Sequence, residues 1–408
     1  MVTAVARNGF ADTTIAQVVD LASVSRTTFY QHFQSKEDCF LETHDLIVQI
    51  GTQRVAEAYR SSGDWLERLR AAFVAFVDLV CTEPDAASLV VVEALGAGPR
   101  ALERREGAAR TFELMIRRSF DQAPGESAQV SDLTIRAIVG GIRRVVYRHL
   151  RQGTAGRLPE LVDDLIAWAL SYRAPGVETP SGPQPGARDG NGVSRRSPPS
   201  VPPAPDPARD RLTLSHRERI IQAVTSIVYE KGYGALTIPE ISATAGISNQ
   251  TFYENFPGKE QAVLAAFDYG AERALDVTTA AFDAAGSWER AVQSGLHALL
   301  EFLASEPKFG RLAFLQFLNA GKAAQERSEA ILDRFGALLA PGFDVRPSTP
   351  GYVADAIVGG IWTVAHHEIA HDQTARLPGL AGCVTFIALA PFTGAGSAAE
   401  VVRDSPVR

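Results

Sequence analysis

Apolar residues recur along this chain at every third or fourth position, the spacing that places them on one face of an α-helix. The clearest stripe runs from Ile220 to Val228. It follows Ser215 and Glu218, whose Ser-x-x-Glu spacing is that of a helix-capping box. No segment alternates strictly between apolar and polar residues, the pattern expected of a half-buried β-strand. The pattern therefore predicts an all-α protein.

Further amphipathic segments come in matching pairs. DWLERLRAAFVAFVDLVCTEP and SWERAVQSGLHALLEFLASEP predict long helices that end at Pro84 and Pro307. Later helices are expected at about residues 100–120 and 320–340, 131–152 and 350–372, and 158–172 and 377–391.

The pairing arises from an internal repeat. Residues 13–40 align with residues 236–263 without a gap, at an offset of 223. Further along, a four-residue deletion changes the offset to 219, and AIVGGIRRVV (137–146) aligns with AIVGGIWTVA (356–365). Because solenoid repeats are much shorter, this period predicts the tandem duplication of a whole domain, here called copy one and copy two.

The ends of the copies differ. Residues 174–211 between them are dense in Pro and Gly and almost free of apolar residues, which predicts a flexible linker with a root-mean-square span of roughly 30–35 Å. Residues 394–408 are expected to form a disordered tail. Met1 aligns with Val224, so copy one lacks most of the first helix that copy two has.

Composition excludes several classes of protein. The formal net charge is −7, so any surface that binds nucleic acid must be local. The three cysteines are far apart and odd in number, which argues against a disulfide framework or a zinc finger and fits the cytoplasm. The first residues do not have the form of a signal peptide. No apolar run reaches about 18 residues, so no membrane span is expected.

The repeated segment has the parts of a helix-turn-helix. Thr14 is a good N-cap for one helix, and Ser25 is a good N-cap for a second, short helix. Phe29 and Phe33 would face inward from that second helix, while Arg26 and its polar neighbours would face outward. Such a second helix enters the major groove of DNA, where Arg recognises guanine and Asn or Gln recognises adenine. The alternative is a helical hairpin whose outer face is merely solvated.

The pattern T-I-x-x-[VI]-x-x-x-A-x-[VI]-S-x-x-T-F-Y-x-x-F-x-x-K-E, which both copies match almost fully, resembles the DNA-binding segment of TetR-type (tetracycline-repressor-like) transcriptional regulators. The resemblance covers about residues 1–173 and 212–391. It implies a protomer of nine helices. The first three would bind DNA, the middle ones would enclose a small-molecule pocket, and the last two would pack against a twofold mate.

The resemblance implies that the contacts with a double-stranded DNA operator come from both copies. Base or groove contacts would come from Ser25, Arg26, Thr27, Thr28, Ser248, Asn249, Gln250 and Thr251. Phosphate contacts would come from Thr14, Tyr30, His32, Lys36, Thr237, Tyr253, Asn255 and Lys259.

It also implies a division of the chain into units. These are a helix-turn-helix DNA-binding unit with a truncated first helix (1–45), a ligand-binding and dimerisation domain (46–173), the linker (174–211), a second helix-turn-helix unit (212–268), a second ligand-binding and dimerisation domain (269–393) and the tail (394–408).

The effector would be an unknown small molecule. It is expected to be apolar, because aromatic residues recur in the middle helices: Phe73, Phe76, Phe112, Phe302, Phe314, Phe317 and Trp362. The alternative is that these side chains only pack in the core. No cofactor and no catalytic group is expected. His367, Glu368 and His371 have the H-E-x-x-H spacing of zinc proteases. However, no third ligand follows and copy one has no counterpart, so a polar helix face is the simpler interpretation.

Two glycine pairs lie in the middle of predicted helices, Gly140-Gly141 and Gly359-Gly360. Each such glycine costs about 1 kcal/mol relative to Ala, and a close approach of two helices would compensate for that cost. The alternative is a kink.

The duplication favours pairing of the copies within one chain, through residues 131–172 and 350–391, as a pseudo-dimer that would bind a DNA site with two unlike halves. The alternative is a homodimer in which copy two pairs with copy two of another chain. A different function also stays open, in which the chain is a ligand sensor or scaffold whose copy one no longer binds DNA.

Overall fold

The fold comes from a computed structural model that describes residues 1–61, 63–123, 130–173, 179–181 and 215–404. Within these ranges the regular structure is helical and no strand occurs, which confirms the all-α prediction. The predicted linker lies outside the described residues, apart from 179–181.

Copy one consists of α-helices joined by short turns and two 3₁₀ segments, Glu93–Gly96 and Ala155–Leu161. Its helices are α1 (Val2–Asp12), α2 (Ile15–Leu21), α3 (Arg26–His32), α4 (Lys36–Ser61), α5 (Trp65–Thr82), α6 (Pro84–Val91), α7 (Pro99–Gln122), α8 (Asp132–Arg151) and α9 (Val162–Leu170).

Copy two follows the same order with additional short helices. Its helices are α10 (His216–Lys231), α11 (Ile238–Ala245), α12 (Asn249–Asn255), α13 (Lys259–Asp283), α14 (Trp288–Ser305), α15 (Pro307–Arg311), α16 (Lys322–Ala337), α17 (Ala340–Val345), α18 (Tyr352–Ala370), α19 (Ala381–Thr393) and α20 (Ala395–Arg403). The 3₁₀ segments Tyr233–Ala235, Phe317–Ala320 and Thr374–Leu380 and a π segment, Leu312–Gln316, complete it.

Local sequence signals explain most helix ends. The predicted capping box is present at the start of α10, where Ser215 Oγ accepts a hydrogen bond from the Glu218 backbone N–H at 3.2 Å. Pro84 and Pro307 follow the ends of α5 and α14 as expected, and each then occupies the first turn of another helix. Proline is tolerated there because that N–H has no helical partner.

The expectation of a disordered tail from residue 394 is wrong for the part that the structure describes. Residues Ala395–Arg403 form α20, which packs on α14 and α19. Ala395, Ala398 and Ala399 are buried at helical spacing. Arg290 and Gln293 of α14 donate hydrogen bonds to the Val401 carbonyl. Small side chains allow this helix to lie close to its neighbours, although they give only a weak hydrophobic signal in the sequence.

The two copies meet where α8 packs along α18. The backbones come so close that a Cβ on Gly140 would lie 3.0 Å from the Gly359 carbonyl oxygen. A Cβ on Gly360 would lie 2.8 Å from the Ala137 carbonyl oxygen. Both glycine pairs therefore permit a close helix–helix contact, and that prediction is confirmed.

The apolar helix α19 lies in the core of copy two. Residues from Cys383 to Phe392 of α19 are all buried. The segment Thr374–Thr393 is long and apolar enough to cross a membrane by length and hydropathy, and 67% of its most apolar window is buried inside the protein. Its burial is that of a core helix.

Candidate nucleic-acid interface and ligand cavities

The helix-turn-helix of copy one is built by two capped helices and a tight turn. Thr14 Oγ1 accepts a hydrogen bond from the Gln17 N–H, and the Gln17 side chain accepts one from the Thr14 N–H at 2.7 Å. The turn passes through Ser23, whose φ is +55°. Ser25 Oγ then accepts a hydrogen bond from the Thr28 N–H at 3.0 Å, which begins α3.

Copy two repeats this geometry. Thr237 caps α11 by accepting a hydrogen bond from the Glu240 N–H at 3.4 Å. Gly246 ends α11 at a φ of +65°, and Ser248 caps α12 through the Thr251 N–H at 3.0 Å. Because the caps are at equivalent positions, α3 has the same orientation relative to α2 as α12 has relative to α11.

Each second helix buries an aromatic face and exposes a polar one. Phe29 and Phe252 are buried, at 4% and 0% exposure. Tyr30 and Tyr253, one position later, are 58% and 57% exposed. This arrangement leaves the outer faces of α3 and α12 open to a partner.

The predicted DNA-contact residues divide into two groups by exposure. The exposed ones are Thr14, Ser25, Arg26, Thr27, Tyr30, His32, Thr237, Ser248, Asn249, Gln250 and Tyr253. The partly buried ones are Thr28, Lys36, Thr251, Asn255 and Lys259. Within the second group, the Asn255 side-chain amide donates to the Thr251 carbonyl at 2.8 Å.

The two lysines are held by internal contacts. Lys36 Nζ donates to the Phe10 and Ala11 carbonyls at 2.7 and 3.1 Å, near the end of α1. Burial lowers the pKa of Lys36, although the charge of Asp12 opposes this. Lys259 Nζ likewise donates to the Leu236 carbonyl at 3.1 Å. Lys36 therefore ties the start of α4 to the end of α1, and Lys259 ties the start of α13 to the residue just before the Thr237 cap of α11.

The helix that supports each unit differs strongly between the copies. Helix α10 buries six apolar residues, which are Ile220, Ile221, Ala223, Val224, Ile227 and Val228. Helix α1 buries Ala4 and Val5, and its backbone leaves the helical conformation at Gly9, where φ is +75°. The unit of copy two consequently rests on a larger core than that of copy one.

Each copy encloses an apolar cavity of about 130 Å³ among its middle helices. Cavity one is lined by residues of α4 to α9, including the predicted Phe73, Phe76 and Phe112. Cavity two is lined by residues of α13 to α19, including the predicted Phe314 and Trp362. Phe302 and Phe317 are buried in the surrounding core.

Cavity one has a charged wall, which the sequence pattern does not predict. Arg105 of α7 and Arg143 of α8 line its wall, and the Arg105 side chain is only 8% exposed. Among the described residues that line cavity two, none is charged. The difference between the cavities is visible in the repeat alignment, where copy two has uncharged residues in place of these arginines. Arg105 aligns with Ser328 at an offset of 223, and Arg143 aligns with Trp362 at an offset of 219.

The H-E-x-x-H segment lies on α18 and just beyond it, beside copy one. His371 Nδ1 is 2.7 Å from the His367 carbonyl oxygen, and Glu368 is buried. Burial and the charge of Arg136 lower the pKa of His367 to about 4. Within the described ranges, no three His, Cys, Asp or Glu side chains are grouped so that they could hold a metal ion.

The same two segments are similar to known regulators. Residues 3–43 and 220–266 match the sequence model described as "Bacterial regulatory proteins, tetR family". The uncharacterized HTH-type transcriptional regulator YerO of Bacillus subtilis (strain 168) is 42% identical over 53 residues, 13% of this chain and 18% of that protein. The chain thus spans about a fifth of the length of the curated relative it matches.

Two solved structures of transcriptional regulators are similar to part of this chain. The fatty acid degradation regulator FadR from Bacillus halodurans has 18% identity and a TM-score of 0.39, with 43% of this chain and 96% of that chain covered. FadR from Bacillus subtilis, in complex with stearoyl-CoA, has 16% identity and a TM-score of 0.39, with 42% and 97% covered.

Proposed function

We propose that this chain is a sequence-specific DNA-binding transcriptional regulator of TetR type, a repressor that a small-molecule effector releases from its operator. The observation that supports the proposal is the pair of outer faces on α3 and α12. Both are exposed, rich in hydrogen-bonding side chains, and directed by the same caps. Both lie in segments that match the tetR family model.

We further propose that the two copies pair within one chain as a pseudo-dimer. Ion pairs between α8 of copy one and α16 and α18 of copy two support this pairing, since the cations come from copy one and the anions from copy two. Arg148 lies 2.6 Å from both Asp333 and Asp355, and Arg151 lies 3.2 Å from Glu329. Tyr147 of α8 also donates a hydrogen bond to Glu329, at 2.8 Å.

Pairing between identical copies would lose this charge complementarity. The positions of copy one that correspond to Asp333 and Asp355 hold Arg110 and Arg136. Two paired copies one would therefore oppose arginine with arginine. In copy two, the position that corresponds to Arg148 holds His367, so two paired copies two would leave their aspartates without arginine partners. Like charges in the first case and unpaired charges in the second both disfavour the pairing of identical copies.

Binding to DNA tests the proposed function. We expect the full chain to select an asymmetric site from a pool of random double-stranded DNA. The double substitution Asn249→Ala, Gln250→Ala should weaken binding to that site by about thirtyfold or more, because each of the two bidentate base contacts contributes about 1–3 kcal/mol. Weak, salt-sensitive binding to unrelated DNA should remain. Gel shifts at several salt concentrations measure both effects.

A matched substitution makes the result specific. Gln222 is an exposed glutamine on α10 outside the predicted DNA-contact residues, and Gln222→Ala should leave DNA binding unchanged. Unaltered site selection by the double variant would refute the assignment of α12 as the base-contacting helix. A chain that binds no DNA at any salt concentration would refute the proposed function.

A second candidate rests on the weak support of α3. Because α1 buries only Ala4 and Val5, copy one is a candidate for a ligand sensor or scaffold that contacts no bases. The double substitution Arg26→Ala, Thr27→Ala distinguishes the two functions. If copy one contacts DNA, the preference for one half of the selected site is lost. If the whole site is still selected, only copy two binds DNA.

A further inference from the structure

A third cavity lies between the copies. It has a volume of about 60 Å³ and is bordered by α7 and α8 on one side and α16 and α18 on the other. Arg105 and Arg143 line both this interface cavity and cavity one. Leu332 and Trp362 line both the interface cavity and cavity two. The interface cavity is therefore next to both ligand cavities.

The charges around the interface cavity do not balance. Arg105 and Arg143 share one carboxylate oxygen of Glu106, at 3.4 and 3.3 Å. Burial would raise the pKa of Glu106, but the charges of Arg143 and Arg105 outweigh it and lower the pKa to about 2. Glu106 is therefore ionised, and it neutralises only one of the two guanidinium groups.

The wider cluster does not remove the excess. Among the described residues, five arginines lie in it, Arg105, Arg143, Arg144, Arg148 and Arg151. The carboxylates that pair with them number four, namely Glu106, Glu329, Asp333 and Asp355. These arginines outnumber the carboxylates that pair with them by one, and a buried guanidinium group that shares its counterion is costly unless an anion binds nearby.

The guanidinium groups also have unused hydrogen-bond donors. In the described part of the chain, the buried Nε atoms of Arg105, Arg143 and Arg144 have no hydrogen-bond acceptor. The Arg105 and Arg144 side chains are only 8% and 9% exposed. Burial, together with the charge of Arg143, lowers the pKa of Arg105 to about 9. A buried donor without a partner costs free energy that a ligand oxygen would restore.

The duplication supports a binding role for these arginines over a general structural one. At the repeat-equivalent positions of copy two the chain has Ser328, Trp362 and Thr363, which also line the interface cavity. Copy two thus completes the same fold without arginine there. The guanidinium groups of Arg105 and Arg143 are consequently not needed by the fold of a single copy as such.

We propose that the interface cavity binds the acidic head group, a carboxylate or a phosphate, of an amphiphile whose apolar chain lies in cavity one. Arginine suits this role because its planar donors match carboxylate and phosphate oxygens. The cavity between the copies has room for a small head group, and the apolar walls of cavity one suit a hydrocarbon chain. The described residues that line cavity two are uncharged, so we expect cavity two to bind only neutral ligands.

Such a ligand would contact both copies at once. Its head group would join the arginines of α7 and α8 to the walls provided by α16 and α18, and would thus fix the angle between the copies. This coupling rests on the proposed function, because it acts by changing the separation of α3 and α12. The binding itself does not depend on it.

Calorimetry on the full chain without DNA tests the binding. The probes are decanoate, decyl phosphate and decanol, which share one hydrocarbon chain. We expect at least one anionic probe to bind about tenfold or more tightly than decanol, since charge-assisted hydrogen bonds to buried arginine are strong. Tighter binding of decyl phosphate would identify a phosphate head group, and tighter binding of decanoate a carboxylate. Equal binding of all three probes, or no binding, would overturn the proposal.

Substitution of one arginine identifies the site. Arg105→Met keeps the Arg143–Glu106 pair and removes the excess charge, so the chain should fold with at least its original stability, checked by thermal unfolding. The preference for the anionic probe over decanol should disappear. Arg104→Met is the matched control, because Arg104 is 48% exposed and pairs with Asp45 away from the cavities. It should keep the full preference. A preference that persists in Arg105→Met would place the anion elsewhere.

A separate measurement tests the coupling. Saturating anionic probe should weaken binding of the chain to its selected DNA site, and Arg105→Met should remove that effect. Binding of the probe without any effect on DNA would refute the coupling and leave the head-group site in place. Absence of DNA binding in the untreated chain would refute the proposed function alone.

Discussion

Ser23 and Gly246 occupy the same position in the two helix-turn-helix units. Both have a positive φ, +55° and +65°. This left-handed conformation costs an L-residue roughly 1–2 kcal/mol, whereas glycine adopts it freely. A Cβ on Gly246 would have no atom within 4 Å, so a side chain at this position meets no steric clash. The cost of serine relative to glycine at this turn is therefore the strain of the positive φ alone. Copy one bears this strain at the turn between α2 and α3.

Exchange of the two residues should therefore have opposite effects. Ser23→Gly should stabilise the unit of copy one by about 0.5–1 kcal/mol, and Gly246→Ser should destabilise that of copy two by about 1 kcal/mol. Amide hydrogen exchange in α2 and α11 measures the free energy of local opening in each unit. Each variant serves as the control for the other, and a change of the same sign in both units would exclude the explanation by strain.

At the scale of the helices, much of the fold was predictable because helix periodicity and caps are local. The capping box at Ser215 and Glu218 correctly marked the start of α10, and the amphipathic segments marked α5 and α14. Helix α20 was missed because its buried face consists of alanines, which bury little apolar area and give a weak periodic signal.

The candidate sites were predictable to different degrees. The outer faces of α3 and α12 follow from a short contiguous motif. The internal bonds of Lys36 and Lys259 were not predicted, because each acceptor lies more than 20 residues away in sequence. The burial of Arg105 was not predicted either, since arginine is mostly exposed in proteins and only tertiary packing places it at a cavity wall.

The contact between α8 and α18 depends on its glycines. A Cβ on Gly140 would lie 2.3 Å from Thr363 Oγ1 and 3.0 Å from the Gly359 carbonyl oxygen, so the helices would have to separate. Gly140→Ala should lower the free energy of unfolding by about 1–3 kcal/mol, the usual cost of overpacking. Gly107 of α7 has no atom within 4 Å of an added Cβ. Gly107→Ala should instead stabilise the protein by about 0.5–1 kcal/mol. Denaturant unfolding of both variants compares the two directly, and a neutral Gly140→Ala would contradict the close contact.

At the scale of the whole molecule, the ion pairs between the copies favour the association of copy one with copy two over the association of identical copies. Arg148 and Arg151 of copy one face Asp333, Asp355 and Glu329 of copy two. The repeat-equivalent residues do not reproduce this pattern in either identical pairing. The two copies thus differ in charge at their contact surface and also differ at the predicted DNA-contact residues. Divergence of both surfaces together is expected if the two copies act as unlike halves of one regulator.

Reversal of one charge pair tests this association. Arg148→Asp would place a carboxylate against Asp333 and Asp355, and should open the contact between the copies. Asp355→Arg alone would face the arginines of α8 and should do the same. The double variant should recover much of the contact, because it restores one opposite-charge pair. Small-angle X-ray scattering measures the radius of gyration, which should rise in each single variant and fall back in the double variant. In every case the mass should be that of one chain. A parent dimer that persists on dilution, or single variants that change the mass instead of the radius, would show that the charged surfaces join two chains.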